Sequence, residues 1–334
     1  MNVNIRQQIC ALPLVVLITV TLLSSFVTAA EPELIAVKKI WDDAKHSAFT
    51  DLIRFKGKWL CCFREATTHG SKDGEIRIIE SSDGNKWVSV GHVVEKETDL
   101  RDPKLSIDPS GRLVLIMGGS RHRGDAYVTR SPRISFSSDS RTWTVPRKLL
   151  AEDHWLWRIT WHDGIAYSVS KLGEGRDPRR GMLYKSTDCI NWEYITEFRL
   201  PDNTWNASET TLRFMPDGEM IALTRPEWIG RSQPPYTDWT WTKTSHRMGG
   251  PNFIRLPNGQ LWAGARLYLP GGSKTGLIRM TPTSYEPVLQ LPSGGDTSYP
   301  GMVWHEGILW MSYYSSHEGK TSIYLATIRL PEGG

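Results

Sequence analysis

Cysteine is nearly absent from this chain, with four in 334 residues. Cys10 sits in an N-terminal apolar stretch, which leaves Cys61, Cys62 and Cys189. Vicinal residues on a strand face opposite sides, so at most one of Cys61 and Cys62 can reach Cys189. Buried thiols are expected rather than a disulfide framework, and no spacing looks like a zinc site or calls for another metal or cofactor. A dominant charge is lacking too: 40 basic against 36 acidic residues leave +4. With no long basic run, nucleic acid is excluded as the partner. No convincing amphipathic helix pattern occurs. After residue 30 no apolar run could span a bilayer, so no membrane partner is expected once the N-terminus is removed. With 39% hydrophobic and 23% charged residues, the chain is not disordered, collagenous or a coiled coil.

What the chain does hold is 15 Trp, 29 Gly and 20 Pro. Regularly placed Trp among turn residues suggests short strands, and in an exported protein it suggests stacking on sugars. Export is expected from the N-terminus. Arg6 is the only charge before Glu31, residues 11–26 are almost wholly apolar or small, and Thr28-Ala29-Ala30 follow. Residues 1–30 therefore read as a signal peptide cut near Ala30, giving a secreted or periplasmic protein, with residues 31–334 as one domain.

A repeat organises that domain. An apolar strand, a turn ending in Gly and a second apolar strand recur six times, with turn glycines at Gly57, Gly111, Gly164, Gly218, Gly259 and Gly307. The intervals are 54, 53, 54, 41 and 48 residues. Ser-Gly, Asp-Gly and Asn-Gly suit hairpin turns because Gly tolerates a positive φ. A Ser-x-Asp-x-x-x-Trp motif follows three hairpins: SSDGNKW (81–87), SSDSRTW (137–143) and STDCINW (186–192). Its Ser and Asp can bond backbone groups inside a turn while the Trp packs between neighbouring sheets. A degenerate copy is TDWTW (237–241).

Six hairpin units of about 50 residues predict an all-β, six-bladed β-propeller, since that length holds four short strands. A two-sheet sandwich would not explain the near-constant spacing of the turn. Residues 35–41 (IAVKKIW) lie outside the six units and are expected to pair near residues 321–330 and close the ring. The turn glycines are expected on one face of the ring, and the strand ends seven residues later on the other.

Those strand ends are Arg64, Gly118, Lys171, Arg225, Arg266 and Tyr314. Four of six are cationic, where 40 Lys and Arg in 334 residues would give about one in eight. An electropositive face is expected, suited to the carboxylate or sulfate of a sugar, which Arg meets with a planar fork. Polar residues enter the first strands at the same end: Thr50 and Asp51, Arg101 and Asp102, Arg158, Ser208 and Glu209, Ser298 and Tyr299.

The Ser-x-Asp-x-x-x-Trp motifs resemble the Asp boxes of sialidases and their BNR-repeat relatives. The resemblance extends to single residues. SYPGMVWHEGILW resembles the sialidase segment that begins the last blade, which implies Tyr299 as nucleophile. SETTLRFMPDGEMIALTR is similar to the segment carrying its partner, which implies Glu209 in that role and Arg225 as a carboxylate ligand. FREATTHGSKDGEIRIIESSDGNKW implies Arg64 as a second ligand and Asp73 as the acid. Arg266, with Arg247 as competitor, resembles the last arginine of the triad. Sialidases carry Arg-Ile-Pro on the first strand of blade one, where this chain reads Ala48-Phe49-Thr50. No Arg aligns there, and Arg101 is the candidate replacement.

The leading reading is thus an exported, retaining exo-glycosidase acting on an acidic sugar, with a Tyr nucleophile as in sialidases. A neutral phenol attacks a carbon bearing a carboxylate without the repulsion another carboxylate would meet. With an ordinary pKa near 10, it needs a base in reach. A second reading is another carbohydrate-active propeller. It would be either an exo-arabinanase-like hydrolase using Asp51, Asp102 or Glu209, or a uronate lyase using His69 and a Tyr. The third is a glycan-binding propeller without catalysis. In all three the expected partner is a carbohydrate.

Overall fold

The computed structural model describes Met1 and residues 31–124, 126–173, 179–201 and 207–331. Of the expected signal peptide, residues 1–30, all but Met1 lies outside the described residues, Cys10 included. Strands β1–β25 form six antiparallel sheets arranged as the blades of a propeller, and the described residues contain no helix. Five blades are continuous in sequence, over residues 46–93, 99–148, 154–198, 210–243 and 248–290. The sixth combines residues 297–329 with β1 (Glu33–Trp41), which pairs antiparallel with β25 (Ser322–Arg329). The first strand is thus the outermost strand of the last blade. Its ladder bonds to β25 close the ring by joining the start of the chain to the last blade.

Each blade starts at the central channel with the repeated hairpin. The turn glycines have φ between 75° and 90°, and at Gly57 an added Cβ would meet nothing within 4 Å. Backbone conformation, not packing, requires glycine there. At the other end of the same hairpins, the residues seven positions later share one register. Arg64 pairs with Ala48, Gly118 with Arg101, Lys171 with Trp155, Arg266 with Gly249 and Tyr314 with Ser298. In blade four Arg225 N donates to Glu209 O at 3.0 Å.

The inner strands depart from regular pairing just past that level. Four of them slip register: β2 (His46–Phe55) at Ala48/Asp51, β6 (Asp99–Ile107) at Arg101/Lys104, β19 (Met248–Arg255) at Gly249/Asn252 and β23 (Thr297–His305) at Ser298/Gly301. Each bulge contains a residue of positive φ: Phe49 at 64°, Asp102 at 55°, Gly250 at 58° and Tyr299 at 55°. In blade three the inner strand is interrupted, as β10 (His154–Leu156) and β11 (Thr160–His162), both paired with one neighbour. Bulges re-aim side chains, and here they sit at one height around the channel mouth.

The three Ser-x-Asp-x-x-x-Trp motifs fold identically. Asp83, Asp139 and Asp188 each accept two backbone N–H bonds, at 2.8–3.0 Å, from residues two and three positions on. Those N–H groups hold all three carboxyls near pKa 2. Each motif's Trp indole N–H caps a carbonyl three residues back, at 3.0–3.2 Å. The degenerate copy keeps this last bond, from Trp239 to Tyr236 O at 3.0 Å. Cys61, Cys62 and Cys189 are free, buried thiols.

Blades one and six meet tightly at Gly301, where a Cβ would lie 2.1 Å from the backbone N of Leu52. Gly301→Ala must push two inner strands apart. It is expected to destabilise the fold by about 1–3 kcal/mol, the usual cost of overpacking. Denaturant unfolding checks this, and an unchanged midpoint would contradict the packing described.

Candidate active site

A cavity of about 350 Å³ opens at the bulged end of the channel. Asp99, Arg101 and Asp102 line it from blade two, Trp155, Trp157 and Lys171 from blade three, and Ser208, Glu209 and Arg225 from blade four. The loop at Gly70, Ser71 and Lys72 covers one side, and Arg130 and Arg179 complete a predominantly cationic wall.

Glu209 accepts three hydrogen bonds there. Its Oε1 accepts the Tyr299 hydroxyl at 2.5 Å and Arg225 Nη1 at 2.8 Å. Its Oε2 accepts Gly250 N at 2.6 Å. Blades four, five and six therefore converge on one carboxylate. Gly250 has to be glycine on two counts: its φ is positive, and a Cβ would lie 2.6 Å from the Tyr299 ring. Burial raises the Glu209 pKa, but Arg225, the Tyr299 hydroxyl and the Gly250 N–H together outweigh it and hold Glu209 below the usual range. Tyr299 moves the other way, well above 10, chiefly through burial and then through the Glu209 charge. The pair rests as a neutral phenol donating to a carboxylate. The Tyr299 ring is boxed edge-on by Phe49 and Trp157, with centroids 5.0 and 5.8 Å away.

The arginines divide. Arg225 and Arg101 both line the cavity, with 31% and 22% of their side chains exposed. Arg101 also binds Asp99 and the His69 and Ser71 carbonyls. Arg64, expected as a ligand, is fully buried. Its guanidinium binds Asp99 at 2.8 and 3.1 Å and the carbonyls of Thr68 and Ser71. It shapes the covering loop and presents no free fork. Arg266 lies beyond Tyr299, held by Thr297 O at 2.6 Å and the Tyr314 hydroxyl at 2.9 Å, its charge 6.0 Å from the Tyr299 ring centroid. Arg247 is exposed and does not line the cavity.

The remaining acids divide as well. Asp73 is exposed and turned back onto its own loop, where the Thr67 N–H and hydroxyl and Ser71 bind it. Partial burial works against these bonds, yet they bring it down to about 2. It does not line the cavity. Asp51 lies deeper in the channel, fully buried, with Arg158 Nη1 on Oδ1 at 2.6 Å and Leu105 N on Oδ2 at 2.8 Å. That pair ties blades one, two and three together below the cavity floor. Asp102 does line the cavity and accepts the Trp155 indole N–H at 3.1 Å. Burial, reinforced by Glu209, raises its pKa against the pull of Lys104 and Arg101. His69 is exposed and does not line the cavity, its ring centroid 5.3 Å from that of Phe49 in an edge-to-face contact.

Sequence reasoning missed several contributors. In the sequence Lys171 stands out only as one of the cationic strand ends. Burial and the charges of Arg130 and Arg179 bring it down to about 7. Trp155 was missed because its place depends on another blade: a Cβ on Gly118 would lie 1.9 Å from its ring. Asp99 binds both Arg64 and Arg101 and accepts Gly74 N at 3.0 Å. Asp296 is bonded by His46 and His69, residues some 250 and 227 positions away.

The backbone resembles several solved propellers. A protein of unknown function from Dyadobacter fermentans matches with TM-score 0.78 at 18% identity, over 90% of this chain and 99% of that one. Trypanosoma rangeli sialidase in complex with sialic acid matches at 0.67 and 10% identity, over 91% of this chain and 58% of the sialidase. An α-L-arabinofuranosidase from Fusarium graminearum, a mutant with an iminosugar inhibitor, matches at 0.67 and 13% identity, over 90% and 98%. This is the sialidase-like propeller fold. No family model matches the sequence, and no curated protein matches it.

In this sialidase-like propeller, Asp102 gives a signed prediction. Its raised pKa means that folding favours the protonated form. Its contribution to stability is complete below the ordinary carboxylate pKa and is lost as pH rises through the folded value. Asp102→Asn imitates the protonated form and still accepts from Trp155. The variant is expected to be more stable than the wild type at neutral pH and equal to it in acid. Thermal unfolding from about pH 4 to 8 tests this, and a variant less stable at pH 7 would refute it.

Proposed function

We propose that this protein is an exported, carbohydrate-active hydrolase, a retaining exo-glycosidase in which Tyr299 is the nucleophile and Glu209 its base. The observation that carries the reading is the 2.5 Å bond from the hydroxyl of buried Tyr299, which does not itself line the cavity, to Oε1 of Glu209, which does. A phenol is a poor nucleophile until its proton leaves, and a carboxylate in direct contact removes it as the bond to the anomeric carbon forms. Glu209 is held ionised, and Arg225 fixes its orientation while facing the cavity. The similarity of the backbone to a sialidase and an arabinofuranosidase supports sugar chemistry by analogy of fold.

We assign the proton donor to Asp102 in place of Asp73. A donor to a leaving oxygen must hold its proton near the working pH and reach the bound substrate. Asp102 lines the cavity with a raised pKa, whereas Asp73 is ionised and faces its own loop. The cationic lining favours an acidic sugar. The arabinofuranosidase-like alternative, with Glu209 attacking a neutral sugar, draws support from Ala48-Phe49-Thr50, a segment without the arginine that sialidases carry there.

Tyr299→Phe removes one oxygen. It should leave the fold intact while turnover of the active substrate drops by roughly three orders of magnitude or more. Assays over sialosides, arabinofuranosides and uronates, with product stereochemistry read by NMR, identify that substrate. Retained activity in the variant would sink the Tyr mechanism. Arg225→Lys keeps the charge but loses the fork. An acidic substrate should then show a KM raised about tenfold, while a neutral one should lose mainly kcat through misplacement of Glu209. Unchanged kinetics on both would remove Arg225 from the site.

A further inference from the structure

Three side chains from distant parts of the chain meet beside the reaction centre and have no part in the chemistry above. His46 opens β2, His69 lies on the loop that follows its blade's second strand, and Asp296 immediately precedes β23. Asp296 Oδ2 lies 3.0 Å from His46 Nε2 and 2.7 Å from His69 Nδ1. All three donor atoms lie within 4.8 Å of one another, and the imidazoles meet edge to face with centroids 5.7 Å apart. The other carboxylate oxygen, Oδ1, accepts the Tyr314 hydroxyl at 3.0 Å, with Arg266 3.5 Å away. Those outer partners fix the carboxylate so that Oδ2 faces both histidines, as outer-shell donors orient metal ligands.

We propose that His46, His69 and Asp296 form a three-ligand site for a divalent transition-metal ion of the Zn²⁺ class, with an open coordination position. Two imidazole nitrogens and one carboxylate oxygen suit such ions and not Mg²⁺ or Ca²⁺, which prefer all-oxygen shells. Metal–ligand bonds of about 2.0–2.2 Å in tetrahedral geometry set ligand atoms about 3.3–3.5 Å apart. The two short contacts to Oδ2 need to open by well under 1 Å. His46 is buried, whereas His69 has half its side chain exposed and can make that adjustment. Three protein ligands and an open position are the pattern of sites that take an exogenous oxygen.

The site's place gives it a use. His69 packs on Phe49, and Phe49 packs on Tyr299. The ion would sit on the blade-one side of Tyr299, where the inner strand presents Phe49, with Arg266 3.5 Å from Asp296 Oδ1 and Arg101 bonded to the His69 carbonyl. If the glycosidase reading holds, and this clause alone rests on it, the open position takes a carboxylate oxygen of an acidic sugar.

Calorimetric titration of the EDTA-stripped protein with ZnCl₂, and absorption during titration with CoCl₂, test the site without reading turnover. One saturable equivalent is expected, with the visible bands of four- or five-coordinate Co²⁺. His69→Ala removes a half-exposed ligand and Asp296→Asn keeps the side chain's shape. Each should weaken Zn²⁺ binding at least tenfold with an unchanged circular dichroism spectrum, while Tyr299→Phe binds as the wild type does. Absence of a saturable equivalent, or an affinity that neither variant alters, would overturn the site and leave the three residues as a hydrogen-bonded cluster. A protein inert on every sugar that still binds one equivalent would keep the metal site and lose the glycosidase.

Discussion

The inner strands cannot run straight at the channel mouth, and the candidate site follows from that constraint. Four of them insert a residue of left-handed backbone at the same height, and a fifth is interrupted. A regular strand would alternate its side chains between the two faces of its blade. The bulge breaks the alternation and re-aims the extra residue: Tyr299 toward Glu209, Asp102 toward the cavity. Left-handed backbone at a non-glycine costs on the order of 1–3 kcal/mol. Packing offsets it at Tyr299, where Phe49, Trp157 and the bare Gly250 backbone enclose the ring.

Electrostatics then differentiates groups that the backbone has merely gathered. Glu209 and Asp102 share one cavity, yet their pKa values move apart. Glu209 has an arginine, a phenol and a backbone N–H to hold its charge. Asp102 has an indole N–H and a buried position, so its charge is the less favourable one. Pairs of acids separated in this way are how one site holds a base and an acid at the same pH. Tyr299 adds the converse: burial and the Glu209 charge keep its proton in place.

Much of the architecture was legible in the sequence because it rests on local rules. Turn glycines with positive φ mark the inner hairpins, and the Asp-box residues bond inside their own turns. Residues 35–41 were left over from the repeat and found their partner in β25. The repeat register marks Arg64 as a strand-end cation, but its ligand role and the acid role of Asp73 rest on resemblance, and their bonding depends on Asp99 and on the fold of the loop between them, which no spacing reveals. One signal went unread. Pro103, Pro251 and Pro300 fall within inner strands, and proline inside a sheet marks an edge or a bulge. Each directly follows a residue of positive φ. They were the sequence's record of where the side chains turn inward.

Phe49 sets the limit on how far a likeness of backbone carries. It occupies its bulge with the same left-handed backbone as Tyr299 and is packed against it, so the position is structurally filled. No guanidinium reaches the blade-one side of the phenol from this strand. Arg225 approaches from blade four, Arg101 from blade two, and Arg266 is bound to Thr297, Tyr314 and Asp296. Three guanidinium forks therefore do not converge on one point of this lining. The cationic charge is displaced toward blades two to four, while the blade-one side carries two imidazoles and a carboxylate around an aromatic wall.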